Sequence, residues 1–514
     1  MMDKLKSYFS YIINKKEIFF ILQNIKIKEN FTKKREGTIL IQLTLDHWYL
    51  LFYKSLIISK YSNYNIYGLW THVIWPEKKG ENYFFYLTKY VVRKILYYKW
   101  QLLYRSIGVT KFLNLGEINY NKENLIHNLT FKSLIKIKKS KNIINIKYKN
   151  VKIGDLINDT YIRFKNRPTV DLNDPFLKKI IYIFFLSFAN LEKINKNFKI
   201  NSYICGFTSY INGGLATRFF INKKIKTYSA GNRFKLIKKL NNQDNHHLGN
   251  PKIIKRYCAK TKFSKSEISN AKKEILKRFS GKKDLALSYL ATNNYLNNKK
   301  KNVNNLNKVV SVLYLHDFYD APHDWGSMIF ADYYLWTIHT LKLIKKYKLP
   351  IAIKTHPNSC EESKVIEKKI KKEFNDIAWI DNSISNTLIL KKKNIKSVIT
   401  ANGSIAYEAL FFGKAVICAG ECSTSDFDFV IYPKTIVKYN YFIQNIKLVR
   451  QKTKIKVIRN LIYKLYFYIF MEDSNNQSLL AKKIGLDKIK KTNTNELLVL
   501  NKFNKKINEY IKSV

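Results

Sequence analysis

Residues 395–420 read Ile-Lys-Ser-Val-Ile-Thr-Ala-Asn-Gly-Ser-Ile-Ala-Tyr-Glu-Ala-Leu-Phe-Phe-Gly-Lys-Ala-Val-Ile-Cys-Ala-Gly. The pattern predicts strand, tight turn, helix, tight turn, strand. A short apolar run around Val398 and Ile399 stops at Asn402-Gly403, residues that tolerate backbone angles others resist. Ser404 is expected to open a helix, with its hydroxyl and free backbone N–H groups at the positive end of the dipole. Such an end receives phosphates. Glu408 falls one turn along on the same face. Gly413 is placed as a left-handed cap, and 415–419 as the next buried strand.

Working outward, the second half alternates strands and helices with little interruption. Strands are expected at 309–315, 350–355, 377–380, 396–400 and 415–419, and helices near 327–347, 360–373, 384–393 and 404–412. That order specifies a parallel, doubly wound sheet. The first half opens the same way. A strand at 38–43 ends in Thr44-Leu45-Asp46-His47, a helix follows over 48–60, and a strand at 65–70 comes next. Residues 77–107 read as helical and 117–150 as an exposed insertion. Asp174-Pro175 starts a long helix, with proline in the first turn. Strands at 202–206 and 226–229 bracket a helix beginning near Leu215. The expected division is 1–240 (a Rossmann-like domain with basic helical insertions), 241–308 (polar helical linker), 309–435 (a second Rossmann-like domain) and 436–514 (basic C-terminal helices). Within the linker, Ser264 and Glu267 form a capping box for a helix running to about Phe279, and the Asn/Lys run 293–308 is the clearest break.

Bulk composition narrows the classes. With 46% hydrophobic and 15% aromatic residues, the 514-residue chain is globular, with room for two or three domains. Its formal charge of +56 suggests nucleic acid or an anionic membrane surface. However, only eleven of its 93 basic residues are arginine, and Lys, Asn, Ile, Tyr and Phe, all with A/T-rich codons, abound; codon bias accounts for much of the lysine. No RRM, KH, zinc-finger or helix-turn-helix signature is present, so no specific nucleic-acid partner is expected. Five scattered cysteines argue against a disulfide framework. No apolar signal core follows the first residues, and the longest apolar runs fall short of the ~20 residues a spanning helix needs. A cytoplasmic protein, peripheral on the inner membrane if it touches one, is the expectation.

Polar residues gather at the carboxyl ends of the second-half strands, where a ligand belongs in such a sheet. The first ends in His316-Asp317-Phe318-Tyr319-Asp320-Ala321-Pro322-His323, the second in Lys354-Thr355-His356-Pro357, the fourth in Asn402-Gly403-Ser404. His356 can donate to a phosphate oxygen, Lys354 adds charge, Pro357 sets the turn and Ser404 holds the same phosphate. Glu408 would accept from ribose hydroxyls. A single His-Pro is common in turns, but three polar strand ends in one sheet point to a shared anion site. His316, Asp317, Asp320 and His323 are of metal-ligand type, yet their spacing matches no metal motif and suits a turn, so no metal is assigned.

These residues resemble a family. Lys-x-His-Pro followed by Asn-Gly-Ser-x-x-x-Glu-Ala-Leu-x-x-Gly-Lys-x-Val is similar to the donor half of GT-B-fold glycosyltransferases of bacterial capsule and surface-polysaccharide biosynthesis. That group includes the Kdo transferases, with polysialyltransferases and teichoic-acid glycerophosphotransferases as distant relatives. The blocks at 153–163 and 316–323 carry the same resemblance. It implies two Rossmann-like domains facing a cleft, with a nucleotide-sugar donor held by the C-terminal one. The family's phosphate-binding histidine and serine fall on His356 and Ser404, and its helix glutamate on Glu408.

No family catalytic acid maps onto one position of the first half. An inverting, metal-independent transfer needs a base for the acceptor hydroxyl, and Asp155, Asp46 and Asp159 are the candidates, Asp155 first. Asn212, Gly213, Gly214, Arg218 and Arg163 are expected on the acceptor side. The expected activity is transfer of a sugar, CMP-linked acidic sugars included, to a lipid-linked or polymeric glycan acceptor, with the nucleotide sugar as co-substrate and no cofactor. Alternatives are a polyol-phosphate (CDP-glycerol type) transferase, a non-catalytic polysaccharide-assembly protein and, least favoured, a basic nucleic-acid-binding protein.

Overall fold

The computed structural model describes residues 15–24, 36–76, 83–118, 120–140, 142–231, 237–282, 284–285 and 306–472. Most of the expected basic lead-in, most of the Asn/Lys run 293–308 and the basic segment beyond 472 lie outside the described residues.

Two parallel sheets carry the molecule. The first contains β1 (Thr38–Leu43), β2 (Asn65–Trp70), β3 (Val109–Asn114), β6 (Ile200–Cys205), β7 (Lys226–Ala230) and β8 (Ile237–Leu240), in the order β3-β2-β1-β6-β7-β8. Only β8 runs antiparallel in it. Between β3 and β6 a two-residue hairpin, β4 (Lys147–Tyr148) with β5 (Val151–Lys152), stands apart. The second sheet contains β9 (Ser311–Tyr314), β10 (Ile351–Lys354), β11 (Trp379–Ile380), β12 (Ser397–Thr400) and β13 (Ala415–Cys418), ordered β11-β10-β9-β12-β13 and wholly parallel. Apart from β8, both sheets follow the 3-2-1-4-5 order of a doubly wound Rossmann-like unit. Strand order therefore reverses between β1 and β6 in one half and between β9 and β12 in the other. The fold is α/β and GT-B-like: two Rossmann-like units in one chain.

Local sequence explains the elements. β9, β10, β12 and β13 are buried at every position, as helices on both faces of a parallel sheet require. Asp174 caps the helix Pro175–Asn197 through Phe176 N at 2.9 Å, with proline in the first turn. Ser264 and Glu267 close the expected capping box of the helix Lys265–Phe279. Gly413 has φ +73°, the left-handed cap.

Several elements differ from the reading of the sequence. β3 was not expected: it is a half-exposed edge strand whose Lys111 lies 4.4 Å from the Phe198 ring centroid, so it lacks an apolar run. Antiparallel β8, Ile-Lys-Lys-Leu, is hidden for the same reason. The 117–150 region is not a plain exposed insertion, because the helix Glu123–Ser140 buries Ile126, Thr130 and Ile137 against the helix Pro175–Asn197. Three buried residues on an Asn/Lys-rich helix are a faint signal. The block containing Asp155 and Asp159 is the helix Gly154–Lys165.

The segment 241–308 does more than connect. Ile254, Cys258, Ala271 and Ile275 are buried in one core with Val312 and Val398 of the second sheet and Ile458 and Ile462 of the helix Ile455–Phe470. The two halves also meet directly. Ile162 is buried in the core of Leu313, Phe318 and Trp336, and Asn158 Nδ2 donates to the Ala331 carbonyl at 2.9 Å. The helix Gly154–Lys165 is thus the first half's docking element.

Candidate functional site

At the β9/β12 switch point, His316, Lys354, His356, Pro357, Gly403, Ser404 and Glu408 line one cleft of about 80 Å³. Every residue expected on the donor side reaches it except Asn402, which stands just behind. The Asn402 side chain accepts from Tyr333 OH at 2.9 Å and donates to the Pro322 carbonyl at 3.1 Å. The polar ends of β9, β10 and β12 have therefore come together as a single constellation.

The wall is built by contact. His316 stacks on Tyr333, with centroids 4.5 Å apart and planes 13° apart. Its Nε2 lies 3.3 Å from Thr400 Oγ1. Burial, then the neighbouring His356, pushes its pKa down to about 3, so the ring is neutral. His356 is likewise depressed by burial, against the pull of Asp317 and Asp320, and its Nδ1 is buried without a hydrogen-bond partner. An orphaned ring nitrogen at a strand end needs a ligand atom or water. Lys354 is buried and bonds the Ile384 carbonyl through Nζ; burial lowers its pKa to about 8. Its charge is therefore only partly compensated inside the protein.

Three expectations need correction here. Gly403 is not among the residues of positive φ. Its small size matters instead, because a Cβ would stand 3.1 Å from His316 Nε2 and 3.2 Å from Thr400 Oγ1. Ser404 precedes the helix Ile405–Phe411 without capping it, since its hydroxyl donates to Glu408 Oε1 at 2.9 Å. Glu408 is not open to a ribose: its Oε1 also receives Arg278 Nη2, which reaches Ser404 Oγ at 3.2 Å. Arg278 comes from the helix Lys265–Phe279 and also faces Asp284 at 3.5 Å. Sequence reading missed Arg278 because it is 126 residues from Ser404 and lies among lysines.

On the first-half side, Arg218 holds Asp155 with two bonds, Nη1 to Oδ1 at 2.7 Å and Nη2 to Oδ2 at 2.9 Å, and Lys152 stands 3.6 Å away. Burial alone would raise the Asp155 pKa, but Arg218 and Lys152 hold it well below the usual carboxylate range. Asp159 crosses to the other half, with Oδ1 2.7 Å from His323 Nδ1 and Oδ2 accepting from the His323 backbone N–H at 3.2 Å. Arg163 is exposed, and its charge acts on the exposed Asp320 carboxyl. Asp46 is exposed beyond the end of β1.

The remaining residues expected on the acceptor side make packing and hydrogen-bond contacts within the first half. Asn212 clamps Ile74 by two bonds, its Oδ1 accepting from the amide at 3.1 Å and its Nδ2 donating to the carbonyl at 2.9 Å. A Cβ on Gly213 would meet the Phe207 ring at 2.6 Å, and one on Gly214 would meet Leu156 at 2.5 Å. At the β1/β6 switch point, Gln42 fills the crevice, bonding Thr71 Oγ1, the Asn212 carbonyl and Gly206 N. His316, Asp317, Asp320 and His323 do not converge: Asp317 receives Tyr319 N and Cys360 N, and Asp320 receives Ala321 N.

A second, larger cleft of about 580 Å³ lies at the junction of the halves. Lys152, Asp155 and Arg218 line it from one side, Asn250, Lys252 and Arg256 from the linker helix Pro251–Lys260, and Trp325, Gly326 and Glu421 from the second half.

No family model matches the sequence, and no curated protein matches it. Solved structures do. The chain is similar to the Thermosulfurimonas dismutans KpsC β-Kdo 2,7 transferase at 15% identity and a TM-score of 0.30, over 54% of this chain and 80% of that one. It is similar to the Neisseria meningitidis UDP-GlcNAc 2-epimerase, bound to UDP-GlcNAc, at 11% identity and a TM-score of 0.19, over 88% and 100%. It is also similar to Phytolacca americana UGT2, complexed with UDP-2fluoro-glucose and pterostilbene, at 9% identity and a TM-score of 0.25, over 88% and 99%. At these values the likenesses carry no functional argument. The architecture rests on the strand order described above.

Proposed function

We propose that the protein is a glycosyltransferase that moves a sugar from a nucleotide-sugar donor to a growing surface or capsular polysaccharide. The observation that carries this reading is the convergence of His316, Lys354, His356, Gly403, Ser404 and Glu408 on one cleft at the β9/β12 switch point.

The chemistry follows from those groups. The acceptor oxygen forms a bond to the anomeric carbon as the bond from that carbon to the donor phosphate breaks. The electron pair leaves on the phosphate, where His356 Nδ1 or Nε2 and the Lys354 ammonium donate to it. The acceptor hydroxyl proton passes to a carboxylate. Asp155 serves that role poorly, being held as an anion by Arg218. Asp159 is engaged by His323. Asp46, exposed at the carboxyl end of β1, takes the base role in this reading. The donor cleft of about 80 Å³ is smaller than the roughly 300–1,000 Å³ of ordinary ligand sites and is lined by second-half residues, so donor entry requires the loops at those strand ends to open.

The acceptor is taken as lipid-linked, presented at an anionic inner-membrane face. Among the described residues no helix is long and apolar enough to cross a membrane. On the helix Tyr83–Ser106, Val91, Ile95, Tyr98 and Leu102 form an exposed stripe beside exposed Lys94 and Arg105. Apolar residues with flanking cations suit an anionic bilayer surface.

The test is calorimetric titration with CMP-, UDP- and CDP-linked donors, followed by turnover with the one that binds. Tight binding of one nucleotide sugar, lost in His356→Ala, supports the reading. Binding that His356→Ala leaves intact refutes the donor site, and transfer of a polyol phosphate instead of a sugar replaces the activity.

A further inference from the structure

The turn that carries His356 is held from behind by groups the transfer does not use. It joins β10 to the helix Glu361–Glu373. At its far end the Ser359 hydroxyl lies 3.0 Å from the His356 carbonyl and 2.7 Å from Glu367 Oε1. Ser359 and Glu367 are both buried. Among the described residues the His356 carbonyl otherwise meets only the Ser359 backbone N–H, at a long 3.4 Å. The turn is also anchored by Asp317, whose Oδ2 accepts from Cys360 N at 2.8 Å.

Glu367 lacks the cation that other buried carboxylates have. Asp155, Glu408 and Glu17 pair with Arg218, Arg278 and Lys99. Lys364, one turn back on the same helix, bonds Glu361 at 2.6 Å instead. Burial, then the like charge of Asp317, pushes the Glu367 pKa up to about 7, against the Ser359 hydrogen bond and the charge of Lys364.

A serine hydroxyl has one proton, and here two oxygens compete for it. A carboxylate can only accept, so the ionised Glu367 takes that proton and leaves the His356 carbonyl with the long backbone contact. A neutral carboxyl donates its own proton to Ser359 Oγ and frees the serine proton for the carbonyl. The groups then form one chain, Glu367 to Ser359 to His356, in which each bond strengthens the next.

We propose that Ser359 and Glu367 are positioning residues for His356: the neutral Glu367 carboxyl locks the turn through the Ser359 hydroxyl, the carboxylate unlocks it, and nucleotide binding at the His356 cleft weakens as Glu367 ionises. The binding half of this statement rests on the proposed donor site. Asp317, Lys364 and Ser359 act on Glu367, and Asp317 and Asp320 act on His356. The His356 ring and Lys354 titrate as well, so the signature of the latch is a difference between variants and not a bare pH profile.

The test has two arms, both on the full chain. The first needs no ligand: NMR of protein labelled with ¹³C at the histidine carbonyls, the His356 signal being the one lost in His356→Ala. In wild type that signal should shift with a midpoint near pH 7. It should hold still in Glu367→Gln, whose amide donates to Ser359 at every pH, and in Ser359→Ala, which has no relay. The second arm is calorimetric titration with CMP and UDP at pH 6 and pH 8. Between those values the tighter nucleotide should lose roughly 3–10-fold more affinity in wild type than in either variant, the scale of one hydrogen bond. A carbonyl signal that stays still in wild type, or moves equally in Glu367→Gln, overturns the latch, and so does an equal loss of affinity in wild type and Glu367→Gln. If neither nucleotide binds, the donor site falls, and the carbonyl signal alone decides whether Glu367 governs the turn.

Discussion

Arg278 closes a buried ion pair with Glu408, joining the linker helix to the helix that follows the Asn402-Gly403 turn. Both side chains are almost wholly buried, so neither charge tolerates the loss of the other. Arg278→Met should cost about 3–5 kcal/mol of stability, because it takes the cation from two buried carboxylates, Glu408 and Asp284, and Glu408→Gln should cost less, because Asp284 still faces Arg278 at 3.5 Å. The double variant should be less destabilised than the sum of the two. Chemical denaturation of all four proteins gives the coupling directly, and strict additivity would remove the pair from the account of the fold.

The pair between Asp155 and Arg218 predicts an acid limb to the stability curve. The folded pKa of Asp155 is depressed below its ordinary 3.8 by Arg218 and Lys152, which outweigh burial. A depressed carboxylate contributes stability that is present above the unfolded value and lost as pH falls below it. Denaturation midpoints should therefore fall steeply below about pH 4 in the wild type. Asp155→Asn should be less stable at neutral pH, with a shallower acid limb. An unchanged acid limb in the variant would assign that limb to other carboxylates.

His323 has the opposite sign. Burial lowers its pKa, but the charge and hydrogen bond of Asp159 win, and the net shift is upward from 6.5. The contribution is fully present below pH 6.5 and is lost as pH rises through the folded value. Asp155, Lys152 and Asp332 also act on this imidazole, so the slope belongs to the group. The contact joins the two halves, and opening of the interface should become easier on the alkaline side. Hydrogen exchange of the helix Gly154–Lys165 should speed up from pH 6 to pH 8 beyond the intrinsic rate, and His323→Gln should abolish that excess.

These pairs show what was legible in the sequence. Strand-end polarity in the second half was readable because parallel strands are local apolar runs with punctuated ends, and His316, Lys354, His356 and Ser404 do line one cleft. The partners that restrain those groups were not readable. Arg278 reaches Ser404 across 126 positions, and Asp159 reaches His323 across 164; no spacing rule spans such distances. The polar block around Asp155 is visible in the sequence, but its ion pair with Arg218, 63 positions away, is not. Gly213 and Gly214, expected on the acceptor side, allow close packing of the turn Tyr210–Gly214 against Phe207 and Leu156, a contact no local pattern shows.

Removing the imidazole of the proposed donor site separates chemistry from folding. His356 is only partly buried, and its Nδ1 bonds no protein group, so His356→Ala should leave thermal stability within about 1 kcal/mol. Turnover should fall by roughly 10²–10³-fold, the usual effect of deleting one donor to a developing negative charge. Asp46→Asn should lower kcat by a factor of roughly 10²–10⁴ while the donor dissociation constant stays put, as expected for loss of a base. The two variants thus divide the reaction between the halves. Donor affinity unchanged in His356→Ala, together with full kcat in Asp46→Asn, would leave neither residue with a part in the transfer.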